Sequence, residues 1–441
     1  MNSGKNIKTW LGRQNDAVFV FYAALAAFFT YSCMYAFRKP YTVATFDDLV
    51  FFGVHYKIWL ITAQVIGYTI SKFIGIKMVS EMKANNRAVT ILVVIGVALL
   101  ALLFFAITPA PYNIVFLFLN GLPLGIVWGL VFAYLEGRRT TEMLGAAVSV
   151  SFIFASGFVK SIGKTLILNF SVSEFWMPFV TGIIFTIPLV VSVFLLNQLP
   201  EPADADKESR TVRIPMSKQE RADFFKRFSA IIILFVLTYI LLTILRDIRD
   251  NFAAELWIVL GQGNAPEIFT VTEIPVGIGV LAVISLMVLI RNNFLALTTA
   301  ITTVIVGFLI VIITTASFQF GLIGNVLWMI LVGFGLYLGY IAYHAFLFER
   351  FIATFKYVSN IGFIMYLADS FGYLGSVASF FAKNFFSKNV SWLNFYTMLA
   401  YSLSIVGIVF CLLAYVFVRQ KYRKAFPETK SSKSIIIKWT I

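Results

Sequence analysis

Two arginines, Arg38 and Arg246, have the side-chain chemistry and the spacing expected of an anion-binding pair. Each lies seven residues after a tyrosine, Tyr31 or Tyr239, and the two patterns are separated by an offset of 208 residues. A guanidinium carries a planar fork of donors that suits a phosphate or a carboxylate. Two guanidiniums in a low-dielectric site repel each other unless an anion lies between them. The alternative is that both arginines extend to lipid headgroups at the ends of their helices.

Further polar and charged side chains lie within apolar stretches and are candidates for the same site. Spacings of three and seven residues place Tyr35 and Tyr31 on the helix face of Arg38. A charge inside a bilayer is costly unless it is paired or hydrated, so each one marks a candidate functional position. The predicted binding residues are Arg38, Arg246, Tyr31, Tyr35, Lys72, Lys160 and His344, with Asp369 for charge balance or proton coupling. Aromatic packing, extension toward headgroups and a satisfied packing histidine are the structural alternatives.

The composition assigns these residues to an integral membrane protein. Of 441 residues, 60% are apolar and only 13% are charged, about half the charged share of soluble proteins. The net charge of +14 is spread over short segments between apolar runs, which indicates membrane topology and not nucleic-acid binding. Cys33 and Cys411 both lie in apolar runs, so a disulfide framework is excluded. We expect no enzyme activity, no cofactor and no metal site, because no catalytic or metal-ligating constellation is visible.

Twelve apolar stretches are long enough to cross a bilayer. All are predicted to be helices, because a bilayer offers no partner to open strand edges. The first stretch is too long for a typical signal peptide and is interpreted as a retained helix. The stretches are 17–37, 56–76, 88–108, 112–133, 144–168, 177–196, 229–246, 270–290, 294–316, 323–345, 358–382 and 394–418.

The basic residues predict the orientation and the domain organisation. Twenty-five of the 35 Lys and Arg residues fall on the side that contains both termini, and five fall in the opposite loops. This predicts a multi-pass protein of the cell (inner) membrane with both termini cytoplasmic. We predict an all-α fold of two six-helix halves around a central cavity. The predicted units are residues 1–196, a cytoplasmic linker at 197–228 with a surface helix near Lys218–Arg227, residues 229–418, and a basic cytoplasmic tail at 419–441.

Small residues at helical spacing predict close helix packing. Gly67, Ser71 and Gly75 form one stripe, and a second is formed by Gly121, Gly125 and Gly129. Such stripes let two helices approach at backbone distance.

Four patches of the sequence resemble a known transporter group. They are Tyr31-x-x-x-Tyr35-x-x-Arg38-Lys39, Gly67-Tyr68-x-x-Ser71-Lys72-Phe73, His344-Ala345 and Phe371-Gly372-Tyr373-Leu374-Gly375-Ser376-Val377-Ala378. Together with Leu245-Arg246, they are similar to the organophosphate:phosphate antiporter branch of the major facilitator superfamily. The resemblance covers roughly residues 17–418 and is remote outside these patches.

The resemblance implies a mechanism and assigns roles to the candidates. In that branch, two arginines hold the phosphoryl group of the substrate at the apex of a cavity between the halves, and the halves rock to give alternating access. The arginine roles fall to Arg38 and Arg246, the aromatic roles to Tyr31 and Tyr35, and the basic role to Lys72. The branch's histidine in the fifth span has no counterpart, and its tyrosine before the second arginine is Thr243.

Lys160 and Asp369 are predicted to act together at this cavity. Counted from the inner ends of their predicted helices, they lie about 24 Å and about 16 Å deep. That difference is within reach of a lysine, so we predict that Lys160 supplies positive charge and that Asp369 balances it when no anion is bound. A structural ion pair, or a Lys160 that extends outward, is the alternative.

Three functions fit these observations. The first is transport of a small organic anion, phosphorylated and exchanged against inorganic phosphate. The second is a membrane sensor of the same fold that binds a ligand without transporting it. The third is proton-coupled transport of a neutral or zwitterionic solute, with Asp369 or Glu273 as proton carrier. We expect a monomer that contacts membrane lipid and no nucleic acid.

Overall fold

The computed structural model describes residues 3–47, 49–80, 82, 84–136, 138, 140–201, 218–355, 361–387 and 389–426. The helices of the N-terminal half are α1 (Ser3–Leu11), α2 (Asp16–Tyr35), α3 (Tyr56–Ser80), α4 (Arg87–Ile107), α5 (Ile114–Leu124), α6 (Val127–Phe132), α7 (Thr141–Phe170) and α8 (Met177–Leu196). Short 3₁₀ helices lie at Pro40–Val43 and Ala84–Asn86, and strands β1 (Val50–Phe51) and β2 (Val54–His55) pair antiparallel.

The C-terminal half has the same helical character. Its helices are α9 (Lys218–Asn251), α10 (Ala253–Val259), α11 (Ile268–Val288), α12 (Asn293–Gln319), α13 (Asn325–Ala342), α14 (Phe348–Thr354), α15 (Ile361–Phe386) and α16 (Trp392–Ala425). A π-helix at Tyr343–Leu347 joins α13 to α14.

The protein is an all-α multi-pass membrane protein with a twelve-helix fold, as predicted. Within the described residues, eleven helical segments are long and apolar enough to cross a membrane. The predicted eleventh span, 358–382, coincides with the 26-residue helix α15. With twelve crossings, the start of α2 and the end of α16 lie at the same end of the bundle, called here the terminal end. The opposite end, which carries β1 and β2, is called the distal end.

Side-chain caps and prolines account for several helix boundaries. The amide oxygen of Asn15 accepts from the backbone of Val18 at the start of α2, and Asn292 caps α12 in the same way. The fourth span is broken between α5 and α6, where Pro123 lies one residue before the end of α5. Proline removes a backbone donor and weakens the turn around it.

A kink marks the point where hydropathy predicts the start of the seventh span, at residue 229. Helix α9 starts at Lys218, and Phe228 inside it has non-helical angles (φ −122°, ψ 17°). The predicted surface helix near Lys218–Arg227 is therefore helical and joins the span through this kink. Residues 202–217 of the predicted linker and 427–441 of the predicted tail lie outside the described residues, and the domain boundaries stay predictions.

The predicted small-residue stripes lie where two helices touch. A Cβ added at Gly67 of α3 would lie 2.3 Å from the carbonyl oxygen of Phe118, and one added at Gly121 of α5 would lie 2.2 Å from that of Gln64. Real Cβ atoms do not approach so closely, so both positions require glycine. The stripes thus allow α3 and α5 to pack at backbone distance.

Two helix pairs make the main contacts between the halves. Helix α7 packs along α11, and α3 packs against α15. At Gly157 of α7, an added Cβ would lie 2.3 Å from the carbonyl oxygen of Phe269. The hydroxyls of Ser161 and Thr270 lie 2.6 Å apart across the same contact. These two pairs bring the candidate residues of both halves together.

Candidate functional site

Arg38 is buried in the turn that follows α2. Only 8% of the residue is exposed, and its guanidinium carbon lies 3.8 Å from the ring centroid of Tyr68 and 6.0 Å from that of Tyr35. Helix α2 ends at Tyr35. The chain continues as the buried 3₁₀ helix Pro40–Val43, which keeps Arg38 deep in the protein.

Buried amide side chains fix the backbone around Arg38. Gln64 donates to the carbonyl oxygen of Arg38 at 3.0 Å, and Asn120 donates to that of Phe37 at 3.0 Å. Gln64 also donates to the side-chain oxygen of Asn120 at 2.8 Å. These bonds satisfy carbonyl groups that the end of a helix leaves without partners.

The guanidinium of Arg38 has no ion pair within the described residues. Its Nε atom is buried and has no hydrogen-bond partner there. The ring of Tyr68 gives it a cation–π contact, which does not neutralise its charge. A buried guanidinium without an acceptor is expected where a protein binds an anionic ligand.

Arg246 lies in α9 and already has a carboxylate partner. Its Nε and Nη2 atoms donate to Oδ1 of Asp247 at 3.0 and 2.6 Å. The guanidinium carbon also lies 4.1 Å from the ring centroid of Tyr340. The helix continues past Arg246, to Asn251, so the arginine is enclosed and 14% of its side chain is exposed.

Aromatic side chains connect the two arginines. The hydroxyl groups of Tyr35 and Tyr373 each interact electrostatically with both guanidinium groups. The ring of Tyr31 packs on Tyr35 at 5.6 Å, and Tyr68 of α3 meets Tyr373 of α15 at 6.0 Å. The predicted residues Arg38, Arg246, Tyr31 and Tyr35 are therefore brought to one place between the halves.

Lys72 and Asp369 form an ion pair between α3 and α15. The ammonium group also lies 5.3 Å from the ring centroid of Tyr68 and 5.2 Å from that of Tyr373. Arg38 and Lys72 thus contact the same tyrosine ring. Lys72 lies with this group, and its partner is Asp369, the carboxylate expected beside Lys160.

Tyr239 is the centre of a hydrogen-bond network around Asp369. Its hydroxyl donates to Oδ1 of Asp369 and lies 2.7 Å from Nε2 of His344 and 3.0 Å from the hydroxyl of Tyr340. Nε2 of His344 is 3.7 Å from the same carboxylate oxygen. His344 lies in the π-helix, a distortion often found at functional positions.

The structure corrects the predicted pairing of Lys160 with Asp369. Lys160 instead binds the side chain of Asp250, and donates to its backbone oxygen at 2.5 Å. Asp250 lies 11 residues beyond Tyr239 on α9, and Tyr239 is the residue that donates to Asp369, so the two carboxylates are about 16 Å apart along this helix. That separation exceeds the reach of a lysine. Lys160 is therefore not beside Asp369 and belongs to a second cluster.

This second cluster closes the interface toward the distal end. Asp250 of α9 binds Lys39 and Lys160 of the N-terminal half and accepts from Ser156 at 2.5 Å. Lys39 also donates to the side chain of Asn251 at 2.8 Å. We call Lys39, Ser156, Lys160 and Asp250 the distal cluster.

Two more ion pairs extend the contact around the distal cluster. Lys57 contacts both carboxylate oxygens of Glu255, at 2.7 and 2.8 Å. Arg249 contacts Glu273 at 2.7 Å. A cavity of about 10 Å³, the space of about one water, lies between Lys160, Arg249, Asp250 and Glu273. The halves are packed tightly at this end.

Sequence reasoning missed Asp250 as a shared partner and Tyr239 as the centre of the network. The 208-residue offset could have identified Tyr239, because it aligns Tyr239 with the predicted site residue Tyr31. No comparable signal pointed to Asp250. Within the described residues, no group of three or more His, Cys, Asp or Glu side chains could hold a metal ion.

The fold is that of major facilitator transporters, and the chain belongs to a family of unknown function, DUF5690, whose model matches residues 40–421. The structure is similar to the nucleoside transporter NupG, with a TM-score of 0.57 and 13% identity over 93% of this chain and 99% of that one. A point mutant of NupG gives the same TM-score, at 14% identity over 92% and 99%. At such low identity the likeness concerns the fold alone. No curated protein sequence matches the chain.

Proposed function

We propose that the protein is a secondary active transporter that moves a small organic anion by alternating access. Its ligand is a phosphorylated compound, and inorganic phosphate is the ion exchanged against it, as in the organophosphate antiporters that the sequence patches resemble. The protein functions as a monomer in the cell (inner) membrane, with both termini in the cytoplasm.

One observation carries this proposal more than any other. Arg38 is a buried guanidinium with no anionic partner among the described residues, and Lys72 contacts the same tyrosine ring. An anion that binds Arg38 fills the acceptor position that the protein leaves open. Arg246 adds a second fork of donors once the ligand competes with Asp247.

The position of the site between the halves supports transport. The ligand would bind residues of α2, α3, α9 and α15. Its affinity would therefore depend on the position of one half relative to the other. The distal cluster keeps one end closed, and an alternating-access cycle must break its ion pairs to open that end.

A neutral or zwitterionic solute is the second candidate. Lys72 and Arg246 already have carboxylate partners, and the site is rich in tyrosine rings that could stack on a planar ligand. The nucleoside transporter NupG has a similar fold, which is compatible with a ligand of that type.

Counterflow in proteoliposomes separates these functions. Vesicles that contain the purified protein are loaded with inorganic phosphate and exposed to labelled phosphate outside. Exchange that requires internal phosphate supports the anion transporter. Uptake of a nucleoside without phosphate exchange favours the neutral solute. Phosphate binding without any flux favours a sensor.

A further inference from the structure

We propose that Asp369 and His344 form a proton-binding site, and that an anion arriving at Arg38 causes proton uptake there by drawing Lys72 away from Asp369. This inference rests on the proposed anion site and adds the uptake of a proton to the binding of the anion. The step moves one proton from solvent onto the pair and breaks no covalent bond.

The first link is the position of Lys72 relative to Arg38. Both cations lie against the ring of Tyr68, at 3.8 Å for the guanidinium carbon and 5.3 Å for the ammonium nitrogen. The two groups are therefore within about 9 Å of each other. A phosphate group with a charge-assisted hydrogen bond of about 2.8 Å on each side can bridge such a gap. An anion held by Arg38 thus competes with Asp369 for Lys72.

The second link is the state of Asp369 after Lys72 leaves. The residue is 6% exposed, so its carboxylate cannot be hydrated freely. Its other close donor is the hydroxyl of Tyr239, which does not neutralise the charge. A buried carboxylate that loses its cation is strongly destabilised, and a proton restores neutrality.

The groups around Asp369 make His344 the partner for this proton. Nε2 of His344 lies 3.7 Å from the carboxylate and 2.7 Å from the hydroxyl of Tyr239, which touches both groups and can pass a proton between them. Histidine is the side chain that ordinarily titrates near neutral pH. The groups facing Asp369 are Lys72 and Tyr68 of α3, Tyr239 of α9, Tyr340 of α13, His344 of the π-helix and Tyr373 of α15 itself. Arg246 of α9 faces His344.

The charges of the site lead to the same conclusion. With no ligand and a neutral histidine, three cations (Arg38, Lys72 and Arg246) face two anions (Asp247 and Asp369). The site carries one excess positive charge. A dianion reverses that excess, and one proton on Asp369 and His344 brings the occupied site back to neutrality. Proton uptake should therefore accompany the binding of a doubly charged anion.

The test measures the affinity of the purified full-length chain for inorganic phosphate between about pH 6 and 8, the range in which histidine titrates. Uptake of one proton weakens binding by up to about tenfold per unit rise in pH. Phosphate itself titrates in this range, and its contribution to the pH dependence is the same for the unmodified chain and for Asp369→Asn. The difference between the two proteins therefore reports the proton site alone. The variant should bind phosphate more tightly, since Lys72 is free, and should lack this extra dependence on pH.

Two further variants sharpen the comparison. His344→Gln keeps a hydrogen-bonding side chain without a titrating ring and should move the pH dependence to lower pH. Asp223→Asn removes an exposed carboxylate at the terminal end of α9 and should retain the behaviour of the unmodified chain. Equal pH dependence in the unmodified chain and in Asp369→Asn would overturn the proposal while leaving the anion site intact.

A second measurement needs no variant and so does not depend on the folding of one. Calorimetry of phosphate binding in two buffers of different protonation enthalpy counts the protons taken up, after the contribution of phosphate is subtracted. A value near one supports the proton site, and a value of zero refutes it. No phosphate binding by the unmodified chain would contradict both this inference and the proposed function.

Discussion

Lys160 in the N-terminal half and Asp250 in the C-terminal half form a buried ion pair that joins the halves toward the distal end. Asp250 also binds Lys39, so one carboxylate holds two cations of the opposite half. Removing the carboxylate leaves both cations buried and close together. Removing one lysine leaves a complete ion pair.

This asymmetry predicts different outcomes for two substitutions. Asp250→Asn should lower the free energy of unfolding by about 3–5 kcal/mol, because it leaves uncompensated buried charge. Lys160→Met should cost less, since Asp250 keeps Lys39. Thermal unfolding in detergent measures both. A Lys160→Met variant as unstable as Asp250→Asn would show that the two cations do not share this carboxylate.

The contact of α3 with α5 predicts a strong effect of one added methyl group. Gly121→Ala should destabilise the protein, because its Cβ would lie 2.2 Å from the carbonyl oxygen of Gln64. Gly96→Ala in α4 is the matched control. Its Cβ meets nothing within 4 Å, and alanine is favoured over glycine in helices by about 1 kcal/mol. Equal melting temperatures for the two variants would contradict the close packing.

The sequence predicted the helices well, because the bilayer imposes a simple rule on them. An apolar stretch of sufficient length must be helical, and the predicted stretch 177–196 coincides with α8 (Met177–Leu196). Irregular features were not predicted. The 3₁₀ helix Pro40–Val43 and the π-helix Tyr343–Leu347 depend on tertiary contacts that hydropathy does not encode.

The members of the site were easier to predict than their partners. A charged residue within an apolar stretch is easily recognised in the sequence, and this is why Lys72, Lys160 and Asp369 could be predicted as candidate site residues. Pairing depends on depth in the membrane, and counting from hydropathy boundaries gave about 8 Å where the positions of Tyr239 and Asp250 along α9 give about 16 Å. Lys160 was therefore assigned to the wrong carboxylate.

The orientation of the protein is a prediction that cysteine labelling can test. A cysteine at Ser209, outside the described residues, should react only with reagents that cross the membrane. A cysteine at Tyr112, which is 75% exposed in a distal loop, should react with an impermeant reagent added to whole cells. The native residues Cys33 and Cys411 are buried and should give little background. Labelling of the Ser209 position from outside would overturn the assigned topology.

The central claim is that Arg38 and Arg246 bind an anion through bidentate contacts, and phosphate binding to lysine variants tests it most directly. An ammonium group cannot reproduce the planar fork of a guanidinium. Each hydrogen bond to a charged group contributes about 1.5–3 kcal/mol, so Arg38→Lys and Arg246→Lys should each weaken binding by about 10- to 100-fold or more while membrane insertion is retained. Arg419→Lys, at an exposed position of α16, should bind as the unmodified chain does. Near-normal phosphate affinity in both Arg38→Lys and Arg246→Lys would contradict the two-arginine site.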